Sequence, residues 1–255
     1  MRGALTTVNA NREPFVATRR LRAAGWALHA YTASGTVLAL LIVAAALTGD
    51  TVRALWLMLA AMIIDGTDGA LARRLRVKET IPGFDGARLD DIVDYITYTF
   101  APIVLLWTGG FLPPGTAGVV VASIPLLASC YQFCQSNAKT ADHCFVGFPS
   151  YWNVVAFYVV ILHLPPLATA AVLTTCAVLV FVPIKYLYPS RTRTLRPLNV
   201  TLAGLWLGLY AVILATEPQA SMILVGFSLA YLAYYFLASV YLTLRNPALR
   251  VPRDA

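Results

Sequence analysis

The chain alternates long apolar runs with short polar ones. Eight runs stand out, at about 26–47, 54–70, 89–107, 116–134, 151–164, 167–186, 200–215 and 221–243. A helix needs about 20 apolar residues to cross the hydrocarbon core. Most of the runs approach that length, and the fifth and seventh fall short of it. The pattern predicts an all-α integral membrane protein of about eight transmembrane helices. No polar stretch is long enough for a soluble domain, so residues 1–255 read as a single membrane domain. Within it, 1–24 is a cytoplasmic or interfacial N-terminal segment and 245–255 a cytoplasmic tail.

Composition agrees: 59% of residues are hydrophobic and 12% charged, with mean hydropathy +0.70. The net charge of +7 would suit nucleic acid, but its placement argues against that partner. Five Lys or Arg precede the first run, five lie between the second and third, Lys139 follows the fourth, four (Lys185, Arg191, Arg193 and Arg196) lie at or just past the end of the sixth and three follow the eighth. Arg53 alone is left on the other side. The positive-inside rule therefore puts both termini in the cytoplasm, and an odd number of spans would scramble this asymmetry. The first run is too long for a signal-peptide core and lacks a cleavage site, so it is expected to be retained. Residues 11–24 set Phe15, Val16 and Leu21 among Arg19, Arg20 and Arg22. They read either as an amphipathic interfacial helix or as a plain basic flank.

Candidate chemistry concentrates at the second and third runs, in the order Asp65-x2-Asp68-Gly69-x2-Ala72-Arg73-x12-Gly86-x3-Asp90-x3-Asp94. Carboxylates at a membrane boundary are costly, about 2.5–3.5 kcal/mol each at a helix centre and less near the interface. At about 100° per residue, Asp65, Asp68, Gly69 and Ala72 share one helix face. Gly86, Asp90 and Asp94 share a face of the next helix, whereas Asp85 and Asp91 rotate off it. Such a set suits hard divalent cations, Mg²⁺ or Mn²⁺, two of which can clamp a phosphoryl group for in-line displacement. Gly69 and Ala72 let a nucleotide or pyrophosphate approach the backbone, and Arg73 offers a planar grip on phosphate. The four cysteines show no zinc spacing, and His29 and His163 read as structural.

The run resembles the motif of the CDP-alcohol phosphatidyltransferase family, membrane enzymes that use CDP-diacylglycerol or a CDP-alcohol. All eight motif positions are present. The spacing of twelve between Arg73 and Gly86 is longer than the family's usual eight or so, and it is similar to that of bacterial phosphatidylcholine synthases. Three further segments are similar to that subfamily: Tyr31-Thr32-Ala33-Ser34-Gly35, Phe148-Pro149-Ser150-Tyr151-Trp152-Asn153 and Tyr188-Pro189-Ser190-Arg191-Thr192. The resemblance implies a multi-pass bacterial inner-membrane enzyme whose active site faces the cytoplasm. It would transfer the phosphatidyl group of CDP-diacylglycerol to choline, with a homodimer as an expectation about assembly. It further implies that Asp65, Asp68 and Asp90 bind two metals, with Asp94 as general base and fourth ligand. Asp65, Gly69, Ala72, Arg73, Gly86 and Thr32 would line the CDP site.

Choline's trimethylammonium has no N–H, so aromatic faces are its expected partners. Tyr151, Trp152, Tyr95 and Tyr98 lie at the right membrane depth, while Arg191 and Arg193 are candidates for the lipid phosphate. The alternatives are serine, inositol or glycerol phosphate as acceptor and, from another class, a cation- or proton-coupled transporter. A carboxylate cluster at one face, with no repeated interrupted helices, disfavours transport. No nucleophilic Ser or Cys joins the motif, which favours direct transfer.

Overall fold

Helices begin where polar side chains can satisfy free backbone N–H groups. A computed structural model describes residues 17–245 apart from 137, 139, 141 and 193. Thr18 accepts from Leu21 N–H and starts α1 (Arg19–Leu47). Asp50 accepts from Arg53 N–H at 3.0 Å and starts α2 (Thr51–Arg74). Asp85 accepts from Ala87 and Arg88 N–H and starts α4 (Gly86–Asp94), after the short α3 (Val77–Thr80). The expected third span is one helical run in three parts. Between α4 and α5 (Ala101–Thr108) lies a wide π-helical turn, Tyr95–Phe100. Pro102 has no N–H to return to the carbonyl of Tyr98, and the helix widens immediately before it.

After α6 (Thr116–Cys134) come α7 (Trp152–Ile161), α8 (Pro166–Val180), α9 (Arg196–Ala215) and α10 (Met222–Arg245). Among the described residues five helices, α1, α2, α6, α9 and α10, are long and apolar enough to cross a membrane. α7 and α8 are shorter, at 10 and 15 residues. Two expectations change. The sixth run was to stay helical to 186, but α8 ends at Val180, close before Pro183. Beyond it β2 (Lys185–Tyr186) pairs antiparallel with β1 (Phe145–Val146), so the fold holds a small β element as well as helices. At the N-terminus, 19–24 form the first turns of α1, and 11–16 of the expected interfacial segment lie outside the described residues. Residues 1–16 and 246–255 lie outside the described ones.

Packing inside a bilayer depends on close fit and interhelical hydrogen bonds, because lipid tails are as apolar as leucine. α1 packs most extensively on α2. It also meets α4 at Gly35, where a Cβ would lie 2.5 Å from Val93 Cγ1. Phe157 of α7 stacks on Tyr210 of α9 at 3.8 Å, and Tyr210 Oη donates to Leu55 O at 3.2 Å. Trp206 Nε1 donates to Tyr158 Oη at 2.9 Å, and Tyr158 and Ser228 hydroxyls bond, tying α7, α9 and α10. Large apolar side chains such as Leu127, Leu167 and Ile223 face outward, a surface suited to lipid rather than water.

Candidate active site

The last turns of α2 and the second half of α4 bring the motif carboxylates together. Asp65, Asp68 and Asp90 each present an oxygen within 4.8 Å of the others. Two hydroxyls fix them. Thr32 Oγ1 of α1 donates to Asp68 Oδ2 at 2.7 Å, and Tyr98 Oη donates to Asp65 Oδ2 at 2.7 Å. Asp94 borders the same crevice, beside Thr32 and the other three. Carboxylates this close repel one another unless a proton or a cation intervenes. An all-oxygen set oriented by neighbouring hydroxyls fits a hard divalent cation, so the donors match the metal that the motif implies.

The crevice opens into a cavity of about 200 Å³. Asp65, Asp90, Asp91 and Asp94 form one side, and Tyr98, Tyr151, Phe145 and Tyr188 border it with aromatic rings. Gln132, Gln135 and Ser136, at and just past the end of α6, also border it. Gln132 is buried; its Nε2 donates to Val146 O at 3.0 Å, while its Oε1 has no hydrogen-bond partner among the described residues. Beyond Asp65, Tyr98 and Tyr151 lies a second cavity of about 170 Å³, walled by Trp206, Tyr231 and Tyr235. A third, about 320 Å³ and almost wholly apolar, shares Tyr151 and Tyr235 with it and lies among α7, α8 and α10.

The structure sorts the expected residues. Asp65, Asp68 and Asp90 come within reach of one another, and Asp94 borders the same crevice. Asp91, expected to rotate off the metal-facing side, also borders the main cavity. Arg73 folds back over Gly69, with Nη1 3.4 Å from where a Cβ on that glycine would lie, and Ala72 is half-buried nearby. Gly86, expected at the nucleotide, has a packing reason as well: a Cβ there would be 2.7 Å from the His29 ring. Thr32, expected at the same ligand, has its hydroxyl on Asp68.

Tyr98 and Tyr151 reach the cavity, but Trp152 does not. Trp152 is wholly buried against Phe148, and its Nε1 donates to Ser129 Oγ at 2.7 Å. Tyr95 turns toward α6, with its hydroxyl donating to Leu126 O and its ring against Phe133. Arg191 lies 6.0 Å from the centre of the Tyr188 ring, and Arg193 is outside the described residues. Phe145, Tyr188 and Gln132 were missed. Tyr188 belongs to one of the similar segments, whereas Phe145 and Gln132 carry no sequence signal. Burial, then the Asp65 and Asp90 charges, push the Tyr188 phenol up to about 12, with Arg191 opposing. Tyr188 is therefore a hydrogen-bond donor at neutral pH.

Comparison with known proteins agrees with this geometry. The sequence profile of the CDP-alcohol phosphatidyltransferase family matches residues 29–244. The phosphatidylcholine synthase of Borreliella burgdorferi is 36% identical over 223 residues, covering 87% of this chain and 95% of that protein. That of Legionella bozemanae is 41% identical over 201 residues, covering 76% and 92%. That of Pseudomonas aeruginosa is 38% identical over 216 residues, covering 84% and 90%. The chain belongs to the CDP-alcohol phosphatidyltransferase family and is a phosphatidyltransferase.

Proposed function

We propose that this family member transfers the phosphatidyl group of CDP-diacylglycerol to choline, giving phosphatidylcholine and CMP. The observation that carries the reading is the sharing of one cavity by Asp94 and the rings of Tyr151, Phe145 and Tyr188. A base for a hydroxyl and a surface for a quaternary ammonium thus face one space. The names of the relatives support the same acceptor.

Asp65, Asp68 and Asp90, with Asp94 as a further ligand, would hold two divalent cations, Mn²⁺ or Mg²⁺. When bound, these neutralise diphosphate charge and polarise the reacting phosphorus. Thr32 and Tyr98 hold two of the carboxylates in place. Gly69 and Ala72 leave room for the cytidine diphosphate, Arg73 grips its phosphate, and Arg191 faces the lipid phosphate. Asp94 takes the choline hydroxyl proton, and the oxygen attacks the lipid-attached phosphorus directly. The bond from that phosphorus to the CMP oxygen breaks, and CMP departs with the electron pair.

Orientation follows from the same cavity. Its walls come from the last turns of α2, the second half of α4, the end of α6 and the loop around Tyr188. These adjoin the basic loops, which supports a cytoplasmic active site in a bacterial inner membrane. Eight crossings, both termini cytoplasmic and a homodimer belong to this reading. At 1.5 Å per residue α7 is about 15 Å long, half the hydrocarbon core. It lies inside the bundle, where its ends need not meet lipid.

The test supplies membranes with CDP-diacylglycerol and a panel of alcohols. CMP release with choline, and phosphatidylcholine as product, is expected. Release with serine, inositol or glycerol phosphate alone would move the acceptor. No CMP with any alcohol would show that CDP-diacylglycerol is not the donor.

A further inference from the structure

A second polar construction lies away from the carboxylates and joins the α6–α7 loop to the α8–α9 loop. Lys185 is buried, and its Nζ donates to Asp142 Oδ2 at 3.0 Å across 43 residues of chain. β1 and β2 pair beside this contact. Thr192 Oγ1 donates to His143 O at 3.0 Å and accepts from Tyr188 N–H at 2.8 Å. Gly147, at φ +81°, sits so close to α8 that a Cβ would be 2.1 Å from Val180 O, and its N–H donates to Ile184 O at 2.9 Å. α10 braces β2 from behind: Lys185 N–H donates to Thr243 Oγ1 at 2.8 Å and Leu187 N–H to Ser239 Oγ at 3.1 Å.

The joined loops carry Phe145 and Tyr188, stacked with centroids 4.8 Å apart and planes at 27°. Both rings border the cavity that holds Asp94, and Phe145 meets Tyr151 edge-on at 6.5 Å. Neither ring stands on a helix, so the helical scaffold alone does not place them. Lys185 is buried while Asp142 is partly exposed; an ion pair with a buried member is weak evidence for stability, and holding one arrangement against others is its better-attested use.

We propose that the Asp142–Lys185 pair is a positioning device for acceptor selection, holding the Phe145–Tyr188 stack as the wall against which a quaternary ammonium rests. The proposal builds on the choline reading. A trimethylammonium is recognised by ring faces within about 6 Å of the centroid, so its binding depends on where the wall stands. A primary ammonium can use hydrogen bonds instead and depends on the wall less.

The experiment measures KM for choline, KM for CDP-diacylglycerol and kcat in membranes holding equal folded protein, judged by gel filtration after extraction. F145L and K185M should each raise the choline KM about tenfold, with the CDP-diacylglycerol KM changed less than about twofold. The double variant should be no worse than either single one, since both act through the same wall. K185R should recover most of the loss, which a general packing defect would not allow. D142N keeps a carbonyl acceptor for Lys185 and serves if K185M fails to accumulate; a choline KM raised about threefold or more supports the clasp. An unchanged choline KM in folded K185M or D142N, or additive effects in the double variant, overturns it. Wild-type membranes that make no phosphatidylcholine overturn the acceptor reading itself, a result visible before any variant is compared.

Discussion

Tyr98 and Asp65 stand 33 residues apart in the chain, and the phenol of one donates to Oδ2 of the other at 2.7 Å. The bond spans the gap between the π-helical turn and α2. It holds a carboxylate that borders the carboxylate crevice and both of the aromatic-walled cavities beside it. Hydrogen bonds to charged groups contribute about 1.5–3 kcal/mol. Tyr98→Phe should therefore lower kcat or weaken the apparent divalent-metal affinity by about 10- to 100-fold, while the protein still inserts. A metal titration of activity checks this, and an unaltered curve would make the contact incidental.

Removing metal tests the carboxylate cluster. Activity should vanish in EDTA and return with Mn²⁺ or Mg²⁺. Asp65→Ala, Asp68→Ala and Asp90→Ala should each be inactive though inserted, because together these side chains present the oxygens of one site. Near-normal turnover in EDTA, or in Asp68→Ala, would remove the metal mechanism.

Asp94 borders the crevice but stands outside the group of three mutually close carboxylates, a placement suited to a base. Asp94→Asn keeps the shape and loses the proton acceptor. Turnover should fall by roughly 10²–10⁴-fold, with much less change in CDP-diacylglycerol binding. Parallel collapse of both would make Asp94 chiefly a metal ligand.

Two neighbours in sequence should behave differently. Tyr151→Ala removes a ring from the cavity wall and should raise the choline KM about tenfold, worth roughly 1–2 kcal/mol. Trp152→Ala opens the core, where Trp152 is wholly buried, and should destabilise by about 3–5 kcal/mol. That loss should appear as reduced folded protein with an unchanged choline KM in what remains. Yield and KM measured together separate the two effects.

Asp142 is pulled in two directions. Partial burial disfavours its charge, yet the Thr140 hydroxyl and the Lys185 ammonium hold its carboxyl below the usual value. A pKa lower in the folded state than in the unfolded one adds stability that is complete above the ordinary value near 3.9. That stability is lost as pH falls through the folded value. Thermal unfolding in detergent at pH descending from about 4 should therefore cost the wild type more than D142N, whose amide does not titrate. Parallel curves would show that the charge adds nothing.

What the sequence determined by itself was local. The apolar runs and the i, i+3, i+4 and i+8 spacing of the carboxylates settle which residues share a helix face, because a helix turns about 100° per residue wherever it occurs. Hence Asp65 with Asp68, and Asp90 with Asp94, were legible as two pairs on two helix faces, and the motif resemblance joined the pairs into one set. Packing decided what periodicity does not contain. Tyr151 and Trp152 are adjacent in sequence, yet one ring enters the cavity and the other the core. Phe145 and Tyr188 come from loops separated by two helices and meet because β1 pairs with β2. His29, with no acidic neighbour in sequence, fills the space that Gly86 leaves open. Each of these contacts depends on how distant elements seat against one another, and the spacing along a single helix carries no record of that.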